Sequence, residues 1–286
     1  MRKLWVFIAL LLLANICFSQ SFYAIRKDRA LILTAGTGTS TYLGDLANDG
    51  DYFDAKGNLN FGLQYYFTPR ISVRAEVAWF RLAGSDIKAG HPDRVGRNLT
   101  FQSNNYELNA TGMINLFENG NRYYRRPAYN FYAFGGIGLT YFNPTAEYLG
   151  KKYVLQPLQT EGVSYSRVTP AIPLGIGFRL RMGPNLNIAL ESGYRIVFTD
   201  YLDDVSTVYP ATYSSPESEL LSIRGATYAV PGYIRGNPDK KDAYIIYQVK
   251  FEYYLPWDLG GKGSGRIYSK KRSSFYRYNK KGGFKR

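Results

Sequence analysis

Apolar and polar residues alternate along eight segments of the chain, which begin near residues 30, 58, 71, 101, 129, 172, 186 and 245. In the second segment, 58–67, every other residue is Leu, Phe or Tyr, so these side chains share one face. A period of two residues predicts β-strands that have one apolar face and one polar face. The chain is therefore predicted to be all-β.

The links between the eight segments are alternately long and short. Long links span about residues 44–57, 84–100, 143–170 and 200–242, whereas the short links lie at 68–69, 118–128 and 183–185. An even number of strands, with tight turns at one end and long loops at the other, is typical of an outer-membrane β-barrel. We therefore predict an eight-stranded antiparallel transmembrane β-barrel, with long extracellular loops and both termini in the periplasm.

A soluble sandwich or a lipocalin-like barrel shows the same alternation, because its apolar face points inward. Three features favour the membrane barrel: the asymmetry of the links, the clustering of aromatic residues near strand ends, and a secretory signal. In that signal, Arg2 and Lys3 precede an apolar run, 4–16, that is too short to span a bilayer comfortably. We assign residues 1–20 to a signal peptide, 21–29 to an N-terminal lead and 30–257 to the barrel.

Cysteine and charge narrow the chemistry. Cys17 is the only cysteine and is removed with the signal, so disulfides and thiolate metal sites are excluded from the mature chain. The net charge is +14, but residues 262–286 contain many Lys and Arg and neither Asp nor Glu. Residues 258–286 are therefore predicted to form a basic periplasmic tail that is disordered when unbound.

The basic tail interleaves cations with aromatic residues. Such a pattern suggests nucleic acid in a cytoplasmic protein, but the predicted compartment argues against that partner. A solvated tail is one interpretation, and docking onto an acidic periplasmic partner or anionic lipid headgroups is the other. The residues that would bind the partner are Lys262, Arg266, Lys270, Lys271, Arg272, Phe275, Tyr276, Arg277, Lys280 and Lys281.

Charged residues also occupy the polar faces of the predicted strands. An eight-stranded barrel has just enough interior space for its own side chains, and buried charges need partners. We therefore predict a salt-bridged interior instead of a transport pore, with structural rather than catalytic charges. The predicted interior charges are Arg74, Glu76, Glu107, Arg179, Arg181, Glu191, Arg195, Lys250 and Glu252.

Two loop features are candidate sites of chemistry. His91 is the only histidine, and it has no nearby nucleophile motif, so it is predicted to be a solvated loop residue. Asp200, Asp203 and Asp204 could contribute oxygen ligands to calcium, or could cap the loop or pair with Arg. Their spacing is not that of an EF-hand. We predict no catalytic residue, cofactor, metal or small-molecule substrate.

Two stretches carry a resemblance to a known family. Residues 39–46 (TSTYLGDL) contain a Tyr-x-Gly-Asp element with Gly44 and Asp45. Residues 171–181 (AIPLGIGFRLR) and 186–206 form the second stretch, which ends in a TDYLDDVS run with Asp200, Tyr201, Asp203 and Asp204. These stretches resemble the PorG-like family of small outer-membrane barrels. The basic tail is not part of that family's pattern.

The resemblance implies a role in type IX secretion and gliding motility, in which the barrel is linked to a periplasmic ring made of a lipoprotein and its partner. The first hypothesis is therefore a non-enzymatic outer-membrane barrel that anchors periplasmic components of this apparatus. The alternative is a surface adhesin or ligand-binding barrel that acts through its long extracellular loops. A lipid-modifying enzyme that uses His91 is the least favoured hypothesis.

Overall fold

The computed structural model describes residues 30–48, 56–90, 92–120, 123–225, 230–239 and 241–255. The predicted signal peptide and lead, His91 and the basic tail lie outside these residues. The described chain contains ten strands and two short α-helices. The strands are β1 (Leu31–Leu43), β2 (Lys56–Tyr66), β3 (Ile71–Ser85), β4 (Thr100–Asn115), β5 (Tyr129–Tyr141), β6 (Pro144–Tyr148), β7 (Lys151–Val154), β8 (Val168–Arg181), β9 (Leu186–Val197) and β10 (Ala243–Tyr254), and the helices are α1 (Pro92–Arg97) and α2 (Pro216–Ile223).

Eight of these strands close into an antiparallel barrel. Around the barrel the order is β3, β2, β1, β10, β9, β8, β5, β4, and β4 pairs with β3 to complete the ring. The first and last barrel strands are joined in a long register in which Ile32 lies opposite Tyr254 and Leu43 lies opposite Ala243. The predicted eight-stranded antiparallel barrel is confirmed.

The apolar face of each barrel strand points outward, and the polar face points into the lumen. Phe61 and Ile137 on the outside have exposed fractions of 63 % and 73 %, whereas Arg74 and Lys250 inside have 2 % and 0 %. A soluble barrel would bury its apolar face instead. This orientation excludes the lipocalin-like alternative and matches the surface that lipid requires.

The β6–β7 hairpin was not predicted. It forms within the long link between β5 and β8, which the sequence predicts to be a loop. β6 extends the barrel wall by pairing with the N-terminal end of β4 at Gln102 and Ser103. Leu149 and Gly150 make its turn in the left-handed conformation, with φ of 48° and 75°. Strands of four or five residues are too short to show a period of two above the background.

The four long links fold over one mouth of the barrel and form a compact unit that we call the cap: residues 44–48, 86–90, 92–99, 142–167, 198–225, 230–239 and 241–242. The cap has its own apolar core, in which Leu46, Leu202, Val205 and Leu221 are buried against inward residues at the ends of the strands. The long links are therefore more than polar loops, because part of each link packs around a common apolar core. Within the described residues, no helix is both long and apolar enough to cross a membrane.

Candidate functional site

The centre of the lumen is a neutral cluster of four buried charges. The guanidinium of Arg74 donates two hydrogen bonds to the carboxylate of Glu191, at 2.6 and 3.0 Å. The Lys250 ammonium contacts Glu76 and lies 3.1 Å from Glu191. Paired arrangements of this kind are required when charges leave water, because an unpaired buried charge is costly.

Uncharged donors complete the coordination of Glu191. The hydroxyl of Tyr132 donates to one carboxylate oxygen at 2.5 Å, and the side-chain amide of Gln248 donates to the other at 2.7 Å. Tyr132 also fills lumen space beside Arg179, whose guanidinium carbon lies 4.5 Å from the ring centroid. The inward tyrosines thus supply both volume and hydrogen bonds, and the sequence alternation did not reveal them.

A second ion pair lies between this cluster and the end of the barrel that carries the short turns. Arg179 donates to both oxygens of Glu252, at 2.5 and 2.7 Å. Its remaining nitrogen donates to the Tyr66 hydroxyl and to Asn115 at 2.9 and 2.8 Å. Two parallel hydrogen bonds fix an arginine and a carboxylate more firmly than one does.

A third pair lies towards the cap. Arg195 and Glu107 are 3.8 Å apart, and Glu107 accepts hydrogen bonds from the Tyr244 hydroxyl at 2.5 Å and from Asn109 at 2.6 Å. The described lumen therefore holds four cations and four carboxylates, all buried. This arrangement leaves the lumen neutral and filled along its length.

Arg181 differs from the other eight predicted interior charges. It is half-buried at the short-turn end, where it donates to the backbone carbonyl oxygens of Tyr123 and Arg126 instead of to a carboxylate. Arg126 in turn lies over the ring of Tyr254 at 4.0 Å and donates to the carbonyl of Pro184. The link between β4 and β5 thus covers the mouth of the barrel at this end, and Arg181 holds that link in place.

At the opposite end, the family-motif residues gather in the cap. The Tyr42 hydroxyl donates to Asp242 at 2.5 Å, and Gly44 lies so close to both groups that a β-carbon at position 44 would overlap them. Asp45 accepts a hydrogen bond from the backbone N–H of Asn237 at 2.6 Å. The Tyr-x-Gly-Asp element therefore joins the first long link to the last one.

The TDYLDDVS run joins further links. Asp204 accepts hydrogen bonds from the hydroxyls of Thr160 and Tyr165, the latter at 2.6 Å. Tyr201 stacks on Tyr165 with ring centroids 4.6 Å apart. The first oxygen of Asp203 accepts from the backbone N–H of Val205 at 3.0 Å. These contacts connect the β5–β8 link with the β9–β10 link.

One buried ion pair in the cap lies outside the motif. Glu161 accepts from Arg235 at 2.8 Å and from the backbone N–H groups of Ser206 and Thr207, each at 2.9 Å. Arg235 also donates to the carbonyl oxygen of Asp204 at 2.6 Å. Sequence reasoning missed this pair because both residues lie in irregular links, where no period marks an inward position.

Asp200 is the least satisfied carboxyl group of the cap. Neither of its oxygens makes a hydrogen bond within the described residues, although its exposed fraction is only 8 %. Burial, against the smaller opposing effect of the nearby Ser206 hydroxyl and together with the negative charges of Asp45 and Glu161, raises the pKa of Asp200 to about 7. Burial also raises the pKa of Asp204, to about 6, against the opposing effects of Arg235 and the two hydroxyl donors.

The calcium interpretation of Asp200, Asp203 and Asp204 finds no support in the geometry. Among the described residues, no set of three or more Asp, Glu, His or Cys side chains could hold a metal ion. Asp204 instead uses both oxygens for hydroxyl groups, and Asp203 uses one for a backbone N–H. The run therefore serves to assemble the cap.

The sequence matches the model of one protein family over residues 6–216, and that family is described as a domain of unknown function (DUF6089). The chain belongs to this family. No curated protein matches the sequence.

Solved structures with a similar fold are small outer-membrane barrels. Neisserial surface protein A is 6 % identical with a TM-score of 0.42, and the match covers 79 % of this chain and 97 % of that one. Ail from Yersinia pestis is 12 % identical with a TM-score of 0.41, covering 80 % and 99 %. OprG from Pseudomonas aeruginosa is 12 % identical with a TM-score of 0.40, covering 81 % and 98 %. Similarity at this level carries no information about function.

Proposed function

We propose that this protein is a non-enzymatic outer-membrane barrel that anchors periplasmic components of a type IX secretion or gliding apparatus. The observation that carries the proposal is the filled lumen, in which four cations and four carboxylates neutralise one another along the barrel. Such a barrel can serve as a rigid membrane anchor, and its interior leaves no room for a transported solute. The link to type IX secretion comes from the resemblance to the PorG-like family.

The position of the chain ends supports periplasmic contact. Leu31 and Leu255 meet at the short-turn end, where the backbone N–H of Leu255 donates to the carbonyl of Leu31 at 2.9 Å. The basic tail follows directly in the sequence. In our proposal this end faces the periplasm, the cap faces outside, and the tail binds an acidic surface of the secretion-ring lipoprotein or its partner.

Crosslinking in intact cells tests the proposal. In one variant, Gln replaces the eight cations proposed to bind the partner; in the matched control, Lys151→Gln and Lys152→Gln change the β6–β7 hairpin at the opposite end. We expect the tail variant to lose most of its crosslinked periplasmic protein and the control to keep it. Recovery of only extracellular ligands would refute the proposal that this protein anchors periplasmic components. Equal crosslinking of periplasmic protein by both variants would refute it as well. Salt provides a second readout: crosslinking of the periplasmic protein by the wild type should fall as the salt concentration rises, since exposed charge pairs are screened.

The cap supports a second candidate, a surface adhesin or ligand-binding barrel. Val230, Tyr233 and Ile234 are exposed apolar residues on the last long link. A cleft of about 360 Å³, lined in part by Phe101 and Lys152, opens beside the β6–β7 hairpin. Replacing Tyr233 and Ile234 by Ser would abolish surface binding under this hypothesis, while the tail variant would leave it intact.

A further inference from the structure

The carboxyl groups of the cap outnumber its cations, and the arginines Arg97 and Arg235 are paired with other carboxylates. Arg97 donates to both oxygens of Asp86, at 2.7 and 2.9 Å. Arg235 is paired with Glu161. Among the described residues, Asp200, Asp203 and Asp242 therefore have no Arg or Lys within ion-pair distance, although all three are buried. When they ionise, no directly paired cation of the described chain neutralises them, although Arg97 lies near enough to interact with the charge of Asp203.

Hydrogen bonds compensate only part of this burial. Asp242 uses both oxygens, one for the Tyr42 hydroxyl and the other for the backbone N–H of Leu202 at 2.9 Å. Asp203 has one buried oxygen without a hydrogen-bond partner, and Asp200 has two. An ionised carboxylate in such surroundings is costly, whereas a protonated carboxyl group is tolerated.

We propose that the cap is a proton-dependent closure, packed onto the barrel while Asp200 and the Asp203–Asp242 pair hold protons and loosened when they ionise. The pair links the two ends of the β9–β10 link, so repulsion between its members would release that link from the strand ends. The other titratable or charged groups that face this cluster, from all packed elements, are Tyr42, Asp45, Arg97, Glu161, Tyr165, Tyr201, Asp204 and Arg235. The inference does not depend on the proposed anchor function.

The direction in which cap closure depends on pH follows from the raised pKa values of its carboxyl groups. Burial raises the pKa of Asp200 to about 7, and it raises the pKa values of Asp203 and Asp242 above their ordinary range. A solvated Asp has a pKa near about 4, so the closed cap binds more protons than the open one between these values. Closure is therefore strongest at low pH and is lost as the pH rises through about 7.

Hydrogen exchange measures the closure. The full chain is placed in phospholipid vesicles, and amide protection is followed by mass spectrometry, with correction for the intrinsic pH dependence of exchange. The reporter amides are Leu202, Val205, Ser206 and Thr207, which bond to cap carboxylates. From Asp200 alone, we expect cap protection to fall about 100-fold between about pH 5 and pH 9, while β9 amides stay constant.

Two matched variants complete the test. Asp200→Asn keeps the shape but carries no charge, so its cap should lose the part of the pH dependence that Asp200 supplies, which is about 100-fold between about pH 5 and pH 9. Asp239→Asn changes an exposed residue of the same link and should behave like the wild type. Constant protection across the pH range in the wild type would overturn the proposal, as would an Asp200→Asn profile that matches the wild type. Equal loss of protection in β9 would also overturn it, because unfolding would then be global.

Discussion

The lumen and the cap both bury carboxyl groups, but they neutralise them in different ways. Each lumen carboxylate faces an Arg or Lys, and two inward tyrosines, Tyr132 and Tyr244, add hydroxyl donors. In the part of the cap around the TDYLDDVS run, one carboxylate, Glu161, has an arginine partner, and Asp200 has no hydrogen bond within the described residues. The other carboxyls depend on hydroxyl and backbone donors.

The lumen charges are therefore insensitive to pH, whereas the cap carboxyl groups can respond to it. Arg remains protonated across the physiological range, so a lumen of Arg–carboxylate pairs keeps its structure as the pH changes. Carboxyl groups with raised pKa values gain or lose protons near neutrality, so the cap is coupled to the pH of the outer medium under the proposed orientation. Three predictions test the comparison.

The largest loss of stability is expected from a lumen substitution, Arg74→Met. The substitution removes the two hydrogen bonds to Glu191 and leaves Lys250 as the only cation beside two buried carboxylates within the described cluster. Breaking a buried pair in this way should cost about 3–5 kcal/mol of unfolding free energy. Urea unfolding in lipid vesicles, followed by tryptophan fluorescence, measures the change.

The control for this substitution is Arg70→Met. Arg70 and Glu118 are 3.9 Å apart and both are largely exposed. A surface substitution of this type should change stability by no more than about 0.5 kcal/mol. Equal losses for the two variants would mean that the lumen cluster contributes no more than a surface pair, which would contradict the comparison.

An intermediate effect is expected in the cap, from Gly44→Ala. The added methyl group would overlap the Tyr42 hydroxyl and the Asp242 carboxylate and would force them apart. Overpacking of this kind costs about 1–3 kcal/mol. Because the contact joins the first and last links, hydrogen exchange should report lower protection in the cap and an unchanged barrel.

Gly57→Ala provides the matched control, since a β-carbon at position 57 meets no atom within 4 Å. We expect this variant to keep wild-type protection in the cap. If Gly44→Ala also kept it, the Tyr42–Asp242 contact would not hold the links together.

The smallest effect is expected from Tyr165→Phe. This change removes the hydroxyl that donates to Asp204 and should cost about 1 kcal/mol. That hydrogen bond lowers the pKa of Asp204 against the effect of burial, so its loss should raise the pKa above about 6 and strengthen the pH dependence of the cap. Protection of the Thr207 region as a function of pH measures both changes.

Tyr233→Phe is the control for the hydroxyl deletion because Tyr233 is exposed on the last link. Its stability and pH profile should equal those of the wild type. A Tyr165→Phe profile that coincides with the control would show that the hydroxyl does not influence Asp204.

The barrel strands could be predicted from the sequence because their signal is local. In β10, Tyr247, Val249, Phe251 and Tyr253 alternate with Gln248, Lys250 and Glu252, and the structure places the two sets on opposite faces. Arg181 shares the alternation with Arg179, yet it lies at the rim and bonds to a turn. The period gives the face of a residue but not its depth along the barrel axis.

The cap could be predicted only as a set of long links. The run from Asp200 to Asp204 attracted attention by its charge, but its partners Thr160 and Tyr165 lie about 40 residues earlier in the chain. The same applies to Glu161 and Arg235, which are separated by 74 positions. Irregular links have no period, so nothing in the sequence connects such residues before the barrel brings the links together.

From the alternation alone, the chain could be assigned its all-β architecture, its eight barrel strands and the faces of most strand side chains, because alternation depends only on neighbouring residues. Only the folded barrel shows which charges pair in the lumen and which carboxyls of the described cap residues have no ion-pair partner. Both outcomes depend on contacts across the closed barrel, such as Arg74 with Glu191, 117 positions apart. The closed ring of strands sets the distances between inward side chains, and these distances decide which buried charges are neutralised.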